Sequence, residues 1–289
     1  MRSRLAPRVF AVMSGCLLVA CRSDRPAGDV AARSDSAPAA AGAPAVVTIT
    51  ATDFAFDAPS EIPAGWTTFH LVNRGPELHH VQLVRLGEGK SVDDLLGALK
   101  AGGPLPAWVT MAGGPNPPDR GGTAVTTVAL EPGNYALTCF IPSPDGVPHL
   151  MKGMVRPLTV TAASAAAAPE PAADLTMKLV DFGFELDRPL TAGRHTIRVE
   201  NAGAQPHEVA IVRLQPGKEP LEFAAWGEKQ VGPAPGALQG GVSAIMPRSH
   251  AFVEVDLQPG EYGLICFIPE MKDGKPHFVH GMVKRVTVS

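Results

Sequence analysis

The stretch "CFIPSPDGVPHLMKGM" (residues 139–154) returns as "CFIPEMKDGKPHFVHGM" (residues 266–282). Each copy runs from a Cys through a Pro- and Gly-rich loop to a His. A Met follows five positions after that His, at 154 after 149 and at 282 after 277. A copied turn and a copied site would both leave this trace, and the flanks show how much was duplicated. "ATDFAFDAPSEIPAG" (51–65) matches "LVDFGFELDRPLTAG" (179–193), and "NRGPELHHVQLVRL" (73–86) matches "NAGAQPHEVAIVRL" (201–214). "EPGNYALTCFIP" (131–142) matches "QPGEYGLICFIP" (258–269). The offset is 128 (201 − 73) in the early blocks and 127 (266 − 139) at the cysteines. A period this long predicts tandem domains rather than a solenoid. Their expected bounds are 46–161 and 174–289, joined by the Ala/Pro-rich linker "AASAAAAPEPAA" (162–173).

Within each repeat the pattern is that of strands. "TTFHLVN" (67–73) and "HTIRVEN" (195–201) alternate apolar and polar residues with period two, as half-buried strands do. Gly (30) and Pro (29) are abundant and punctuate short β-branched and aromatic runs, while "EPGNY" and "QPGEY" read as turns entering a strand. Each repeat is therefore expected to be an all-β, Greek-key sandwich of about seven or eight short strands. One crossing helix is predicted over "SVDDLLGALK" (91–100). Ser91 caps it, Asp94 completes a capping box, and Val92, Leu95, Leu96 and Leu99 share one face. "PLEFAAW" (220–226) is the expected counterpart.

The start of the chain reads as an export signal. Arg2, Arg4 and Arg8 precede the apolar run "VFAVMSGCLLVA" (9–20), which is too short to span a bilayer. The tetrapeptide "LVAC" (18–21) resembles the lipobox of bacterial lipoproteins, which implies lipidation at Cys21. Residues 1–20 are then a signal peptide. Residues 21–45, rich in Ala, Pro, Ser and charge, form a disordered tether that holds the folded part at a cell-envelope membrane, periplasmic or outer. A formal charge of −3 over 289 residues implies no strongly basic face, so nucleic acid is not an expected partner.

Of four cysteines, Cys16 leaves with the signal and Cys21 carries lipid, which leaves Cys139 and Cys266. Two lone thiols in an exported protein call for a disulfide, inert burial or a metal. The neighbours that recur with them favour the metal. Each repeat supplies an upstream His (His79, His207), the Cys (Cys139, Cys266), a second His (His149, His277) and a Met (Met154, Met282). A soft thiolate, two imidazoles and a weak axial thioether are the ligand set of a blue-copper electron-transfer site.

The layout resembles the cupredoxins, the family of plastocyanin, azurin and rusticyanin. The resemblance covers most of both repeats, from the "DFAF"/"DFGF" segment to "GMVRPLTV"/"GMVKRVTV". It implies a Greek-key sandwich and up to two type 1 copper ions. His149 and His277 would be the edges through which electrons pass to a redox partner protein. The sequence departs from the family in one respect. Nine residues separate Cys139 from His149 and ten separate Cys266 from His277, against the usual two to four. Copper storage or delivery, with a copper donor or acceptor as partner, and a metal-free interaction module are the alternative roles. No His-x-His pair occurs and neither Cys is flanked by His, so no type 2 or type 3 centre is legible and the chain is expected not to be an enzyme. His80 has Glu208 as its counterpart and is read as no part of a repeated site.

Overall fold

The computed structural model describes residues 42–163 and 168–289. The signal peptide, Cys21 and the tether up to residue 41 lie outside the described residues. Among the described residues no helix is long and apolar enough to cross a membrane.

The chain is mostly β. The first repeat contributes β1 (Ala45–Thr52), β2 (Ala55–Asp57), β3 (Glu61–Pro63), β4 (Gly65–Asn73), β5 (Gln82–Leu86), α1 (Val92–Ala101), β6 (Val109–Met111), β7 (Thr123–Leu130), β8 (Gly133–Thr138) and β9 (Val155–Thr161). The second contributes β10 (Leu175–Val180), β11 (Gly183–Leu186), β12 (Gly193–Asn201), β13 (His207–Leu214), α2 (Pro220–Gly227), β14 (Gly236–Ile245), β15 (His250–Leu257), β16 (Gly260–Ile265) and β17 (Val283–Val288). Alternation decides which side of each strand is covered. Val47, Ile49 and Ala51 of β1 are buried, as are Leu175, Met177 and Leu179 of β10, with more exposed residues between them. Both helices form where the sequence places them. Ser91 caps α1 with the reciprocal Asp94 bond, and Leu95 packs on Val84, Leu86 and Ala136. Phe223 and Ala224 of α2 pack on Val212 and Ile265.

The strands form three sheets. One eight-stranded sheet runs through both repeats in the order β11-β10-β12-β15-β7-β4-β1-β2. A five-stranded sheet, β3-β9-β8-β5-β6, belongs to the first repeat, and a four-stranded sheet, β14-β13-β16-β17, to the second. Apolar side chains of the large sheet close on those of the smaller ones: Ile49 and Leu71 are buried with Leu83 and Leu137, and Leu179 and Ile197 with Ile211 and Leu264. Each such fully buried side chain contributes about 1.5–3 kcal/mol. At the corner entering β8 and β16, Tyr135 and Tyr262 donate their hydroxyls to the carbonyls of Glu131 and Gln258, at 3.0 and 2.9 Å. Those bonds tie the "EPGNY" and "QPGEY" turns to the strands that lead to each Cys.

The junction between the repeats follows a pseudo-twofold rule. β15 pairs antiparallel with β7 through Phe252–Thr127, Val253–Thr126 and Glu254–Val125. At the offset of 127 (266 − 139), Val125, Thr126 and Thr127 are the counterparts of Phe252, Val253 and Glu254. The outer pairs therefore exchange and the central pair maps onto itself. A second seam behaves alike: the bridges Ala112–Ile245 and Pro118–Gln239 exchange around Pro115–Val242. An isologous contact of this kind uses one surface patch twice, as in a twofold dimer.

Candidate metal centre

The upstream His is delivered by a side-chain-ordered turn. After β4, Asn73 donates Nδ2 to the Glu77 carbonyl at 2.8 Å and accepts the Gly75 N–H at 3.0 Å. Asn201 does the same with Gln205 and Gly203, at 2.9 and 3.0 Å. The turn leaves no room for a side chain at the glycine. A Cβ on Gly75 would lie 2.5 Å from Asp53 Oδ1 and 2.6 Å from His79 Nε2, and one on Gly203 would lie 2.5 Å from both Asp181 Oδ1 and His207 Nε2.

The long Cys–His loops fold as hairpins that return the His to the sulfur. His149 N–H donates to the Ile141 carbonyl and Leu150 N–H to the Cys139 carbonyl, with Pro142 bridged to Pro148. In the second repeat His277 N–H donates to Ile268, Phe278 N–H to Cys266, and Pro269 bridges Pro276. A 3-10 turn follows (His149–Lys152, His277–His280), closed by Gly153 and Gly281 in the left-handed region. That turn sets the His–Met spacing: Met154 N–H donates to the His149 carbonyl at 2.9 Å, and Cys139 N–H to the Met154 carbonyl at 3.3 Å. Met282 makes the same bonds with His277 and Cys266.

The structure thus brings His79, Cys139 and His149 together, and likewise His207, Cys266 and His277, with the potential ligand atoms of each trio within 4.8 Å of one another. All six residues are fully buried, as are Met154 and Met282. His79 Nδ1 lies 3.1 Å from His149 Nδ1, and Cys139 Sγ lies 3.5 Å from the latter. The second trio repeats these distances at 3.1 and 3.4 Å. The outer nitrogens are all engaged. His79 Nε2 meets Asp53 Oδ1 at 2.8 Å and His149 Nε2 meets Glu77 Oε2 at 2.9 Å. His207 Nε2 meets Asp181 Oδ1 at 2.8 Å and His277 Nε2 meets Gln205 Oε1 at 3.2 Å. None of these four oxygens is a donor, so each imidazole carries its proton on Nε2. Two Nδ1 lone pairs then face each other with no proton between them, in a buried pocket that also holds a thiol. Such a donor set suits a cation, and an outward N–H bonded to a carboxylate or carbonyl oxygen is the usual support of a metal-bound imidazole.

Burial sets the titration of these groups. It pushes the Cys139 thiol up to about 12, and it pushes Cys266 well above its ordinary value with the help of the nearby Glu208 charge. Burial also lowers His79, His149 and His207, against the opposing pull of Asp53, Glu77 and Asp181, and takes His277 and His80 to about 4. A His whose folded pKa is depressed contributes stability that is fully present above its unfolded value near 6.5. That contribution is lost as pH falls through the folded value, roughly 3 kcal/mol at His80 alone. Glu208, raised to about 7 by burial, acts in the opposite sense but is a single group. The denaturation midpoint of the metal-free chain is therefore expected to fall steadily between pH 6.5 and 4. A midpoint that is flat across that window would contradict the buried neutral imidazoles.

Several functional residues escape the spacing argument. Asp53 and Asp181 were part of a strand motif, yet each holds the upstream His. Phe54 and Phe182 beside them adopt left-handed backbone angles (φ 53 and 64) and set their rings edge-on against His149 and His277 at 5.1 and 5.5 Å. Such conformations cost about 1–3 kcal/mol and collect at functional sites. The repeated "DF" dipeptide was the available signal. The reading of His80 as outside any repeated site needs correction: His80 and Glu208 accept the N–H of Phe140 and of Phe267, the residues following each Cys. Different side chains fill one structural role, which a comparison of letters hides.

No protein-family model matches the chain, and no curated protein matches it. Solved structures do. An auracyanin from Roseiflexus castenholzii is 27% identical over 42% of this chain and 99% of its own, with a TM-score of 0.28. Auracyanin A from Chloroflexus aurantiacus, described as a "blue" copper protein, is 23% identical over 41% of this chain and 99% of its own, with a TM-score of 0.30. The blue copper oxidase of Nitrosomonas europaea is 14% identical over 84% of each chain, with a TM-score of 0.25. The expectation that the chain is not an enzyme does not stand: this oxidase, further multicopper oxidases and a copper-containing nitrite reductase, all enzymes, are among the similar structures. The missing His-x-His motif is a local pattern and does not exclude redox catalysis. The similar structures include blue copper proteins, and the chain carries two buried His/Cys/His groups able to bind copper.

Proposed function

We propose that this chain is a membrane-tethered copper protein that passes single electrons through two type 1 centres. Each repeat (46–161 and 174–289) is taken as one Greek-key cupredoxin-like domain. His79, Cys139, His149 and Met154 hold one ion, and His207, Cys266, His277 and Met282 hold the other. When bound, copper supplies a one-electron couple. The protein supplies the rigidity: hairpins, 3-10 turns and carboxylates fix each donor, so a change of oxidation state requires little rearrangement. The observation that carries the reading is the pair of facing Nδ1 lone pairs beside a buried thiol, built twice with the same distances. It favours a resident metal over a metal-free module, and the enclosed, hydrogen-bonded pocket favours retention over delivery.

The ligand loops also present apolar surface. Val147 and Met151 on the first, and Met271 and Val279 on the second, are exposed. Such side chains suit a transient redox partner protein, docked where His149 and His277 lie closest to the loop. The N-terminal "LVAC" supports lipid anchoring through Cys21 at the cell envelope.

The test is to add Cu(II) to residues 23–289 and record visible absorption and metal stoichiometry. An intense thiolate-to-copper band with up to two ions per chain is expected, and Cys139→Ala combined with Cys266→Ala should abolish it. A colourless, copper-free chain sinks the proposal.

A further inference from the structure

A buried polar chain crosses the junction between the repeats and belongs to neither ligand set. Phe140, which follows Cys139, donates its N–H to His80 Nε2 at 2.9 Å. The ring proton of His80 is therefore on Nδ1, which meets Asn116 Oδ1 at 3.3 Å. Asn116 Nδ2 donates to the Val209 and Val242 carbonyls at 3.0 and 3.3 Å and shares a proton with Glu208 Oε2 at 3.4 Å, and Glu208 Oε1 accepts the N–H of Phe267 at 3.0 Å. Phe267 follows Cys266. Every donor meets an acceptor along the way, with one tautomer of His80. His80 and Glu208 are also the residues next to His79 and His207, so both ends of the chain touch both kinds of ligand residue. His80, Asn116 and Glu208 are 8%, 2% and 4% exposed.

The β7–β15 pairing is held by main-chain bonds and apolar packing, and the second seam by main-chain bonds together with side-chain bonds from Gln82, Asn116 and Thr126 to carbonyls of the second repeat. His80 and Glu208 bond to none of those carbonyls. Burying an imidazole, an amide and a carboxyl there is costly, and apolar groups of similar volume would commonly serve stability as well. The position opposite Asn116 in the pseudo-twofold frame is Ser243, whose Oγ donates to Asn116 Oδ1 at 3.3 Å. Ser243 reaches Asn116 but not His80 or Glu208, so Asn116 is the member that joins those two. Electron tunnelling decays less through covalent and hydrogen bonds than across van der Waals gaps. Successive hydrogen bonds in a low-dielectric interior also polarise one another.

We infer that the His80–Asn116–Glu208 bridge is the route by which an electron passes between the two metal centres, so that the chain works as a two-site relay. This rests on the copper reading above. In the step, a cuprous ion held by one repeat is oxidised and a cupric ion held by the other is reduced. One electron moves, no bond forms or breaks, and no proton is transferred. Either centre can then be charged from outside and discharged through the other.

The test uses the full chain loaded with copper at both centres. Met282→Gln replaces the weak axial thioether of the second centre with an amide, which separates its potential and absorption from those of the first. A pulse of hydrated electrons, fewer than one per chain, reduces both centres at random. A first-order phase, independent of protein concentration, is then expected in which the first centre bleaches while the second recovers. Asn116→Leu in this background should slow that phase with both bands retained, because it replaces two hydrogen-bonded joints of the route with van der Waals contact. His80→Leu cuts the route at another joint and should do the same if Asn116→Leu does not fold. Ser243→Ala, which touches Asn116 off the route, should leave the rate unchanged. A first-order phase of equal rate in the Asn116 and His80 variants overturns the inference, as does its absence from the Met282→Gln chain. Absence of any blue band in the unmodified chain overturns the copper reading itself.

Discussion

Gly241→Ala is expected to destabilise the metal-free chain by about 3–5 kcal/mol, at the extreme of single substitutions. Gly241 lies in β14 at φ 133, and a Cβ built on it would sit 1.9 Å from the Val209 carbonyl oxygen and 3.0 Å from its carbon. Both atoms are main chain, so no side-chain rotation relieves the contact. β14 cannot retreat either, because the Gly241 carbonyl accepts Asn116 N–H at 3.1 Å and Thr126 Oγ1 at 2.8 Å from the first repeat. Moving the strand would open the ladder with β13 and the seam between repeats together. Gly274→Ala is the control. Its φ of 72 is also left-handed, but nothing lies within 4 Å of the new Cβ, so only the backbone term of about 1–2 kcal/mol applies. The two denaturation midpoints decide. Equal losses in the two variants would mean that the close approach at Gly241 is not what holds β14 in place.

The apparent copper dissociation constant is expected to fall about tenfold for each pH unit between 5 and 8, about a thousandfold in all. The Cys139 thiol, pushed up to about 12 by burial, is protonated throughout that window in the metal-free chain, and Cys266 is raised likewise. Binding through sulfur must therefore displace one proton per ion, while His277, lowered by burial to about 4, is already neutral there and burial lowers His149 in the same direction. Below about pH 4 the His277 ring takes up a proton, and the slope at the second centre should steepen. Chelator competition gives the slope. Calorimetry in buffers of different ionisation enthalpy counts the protons released. A flat profile would remove the thiols from the ligand set. Cys139→Ala should leave one proton released per chain instead of two.

Much of this architecture is local and was therefore legible. Period-two alternation marks β4 and β12 because each strand carries its own more and less buried faces. The Ser91–Asp94 capping box announces α1 because both partners lie within one turn. The spacing from His149 to Met154 survives as a 3-10 turn closed by Gly153, again a matter of a few residues. The long segment from Cys139 to His149 was the obscure part. Its closure depends on Ile141 facing His149 and Pro142 facing Pro148, a register that a Pro-rich run does not advertise. Asp53 and Glu77 were invisible as supports of His79 and His149 because each reaches its partner only after separate strands have packed.

By itself, the sequence determined the duplication, the β character and the paired His, Cys and Met positions, since these follow from composition, periodicity and spacing along the chain. Only the tertiary structure decided that the repeats share one eight-stranded sheet and that Asn116 bridges His80 to Glu208. The reason is physical. Strand edges bind through main-chain groups common to all residues, so which edge meets which is set by shape and register across more than a hundred positions. A buried polar bridge exists only once that register brings its members within hydrogen-bonding distance.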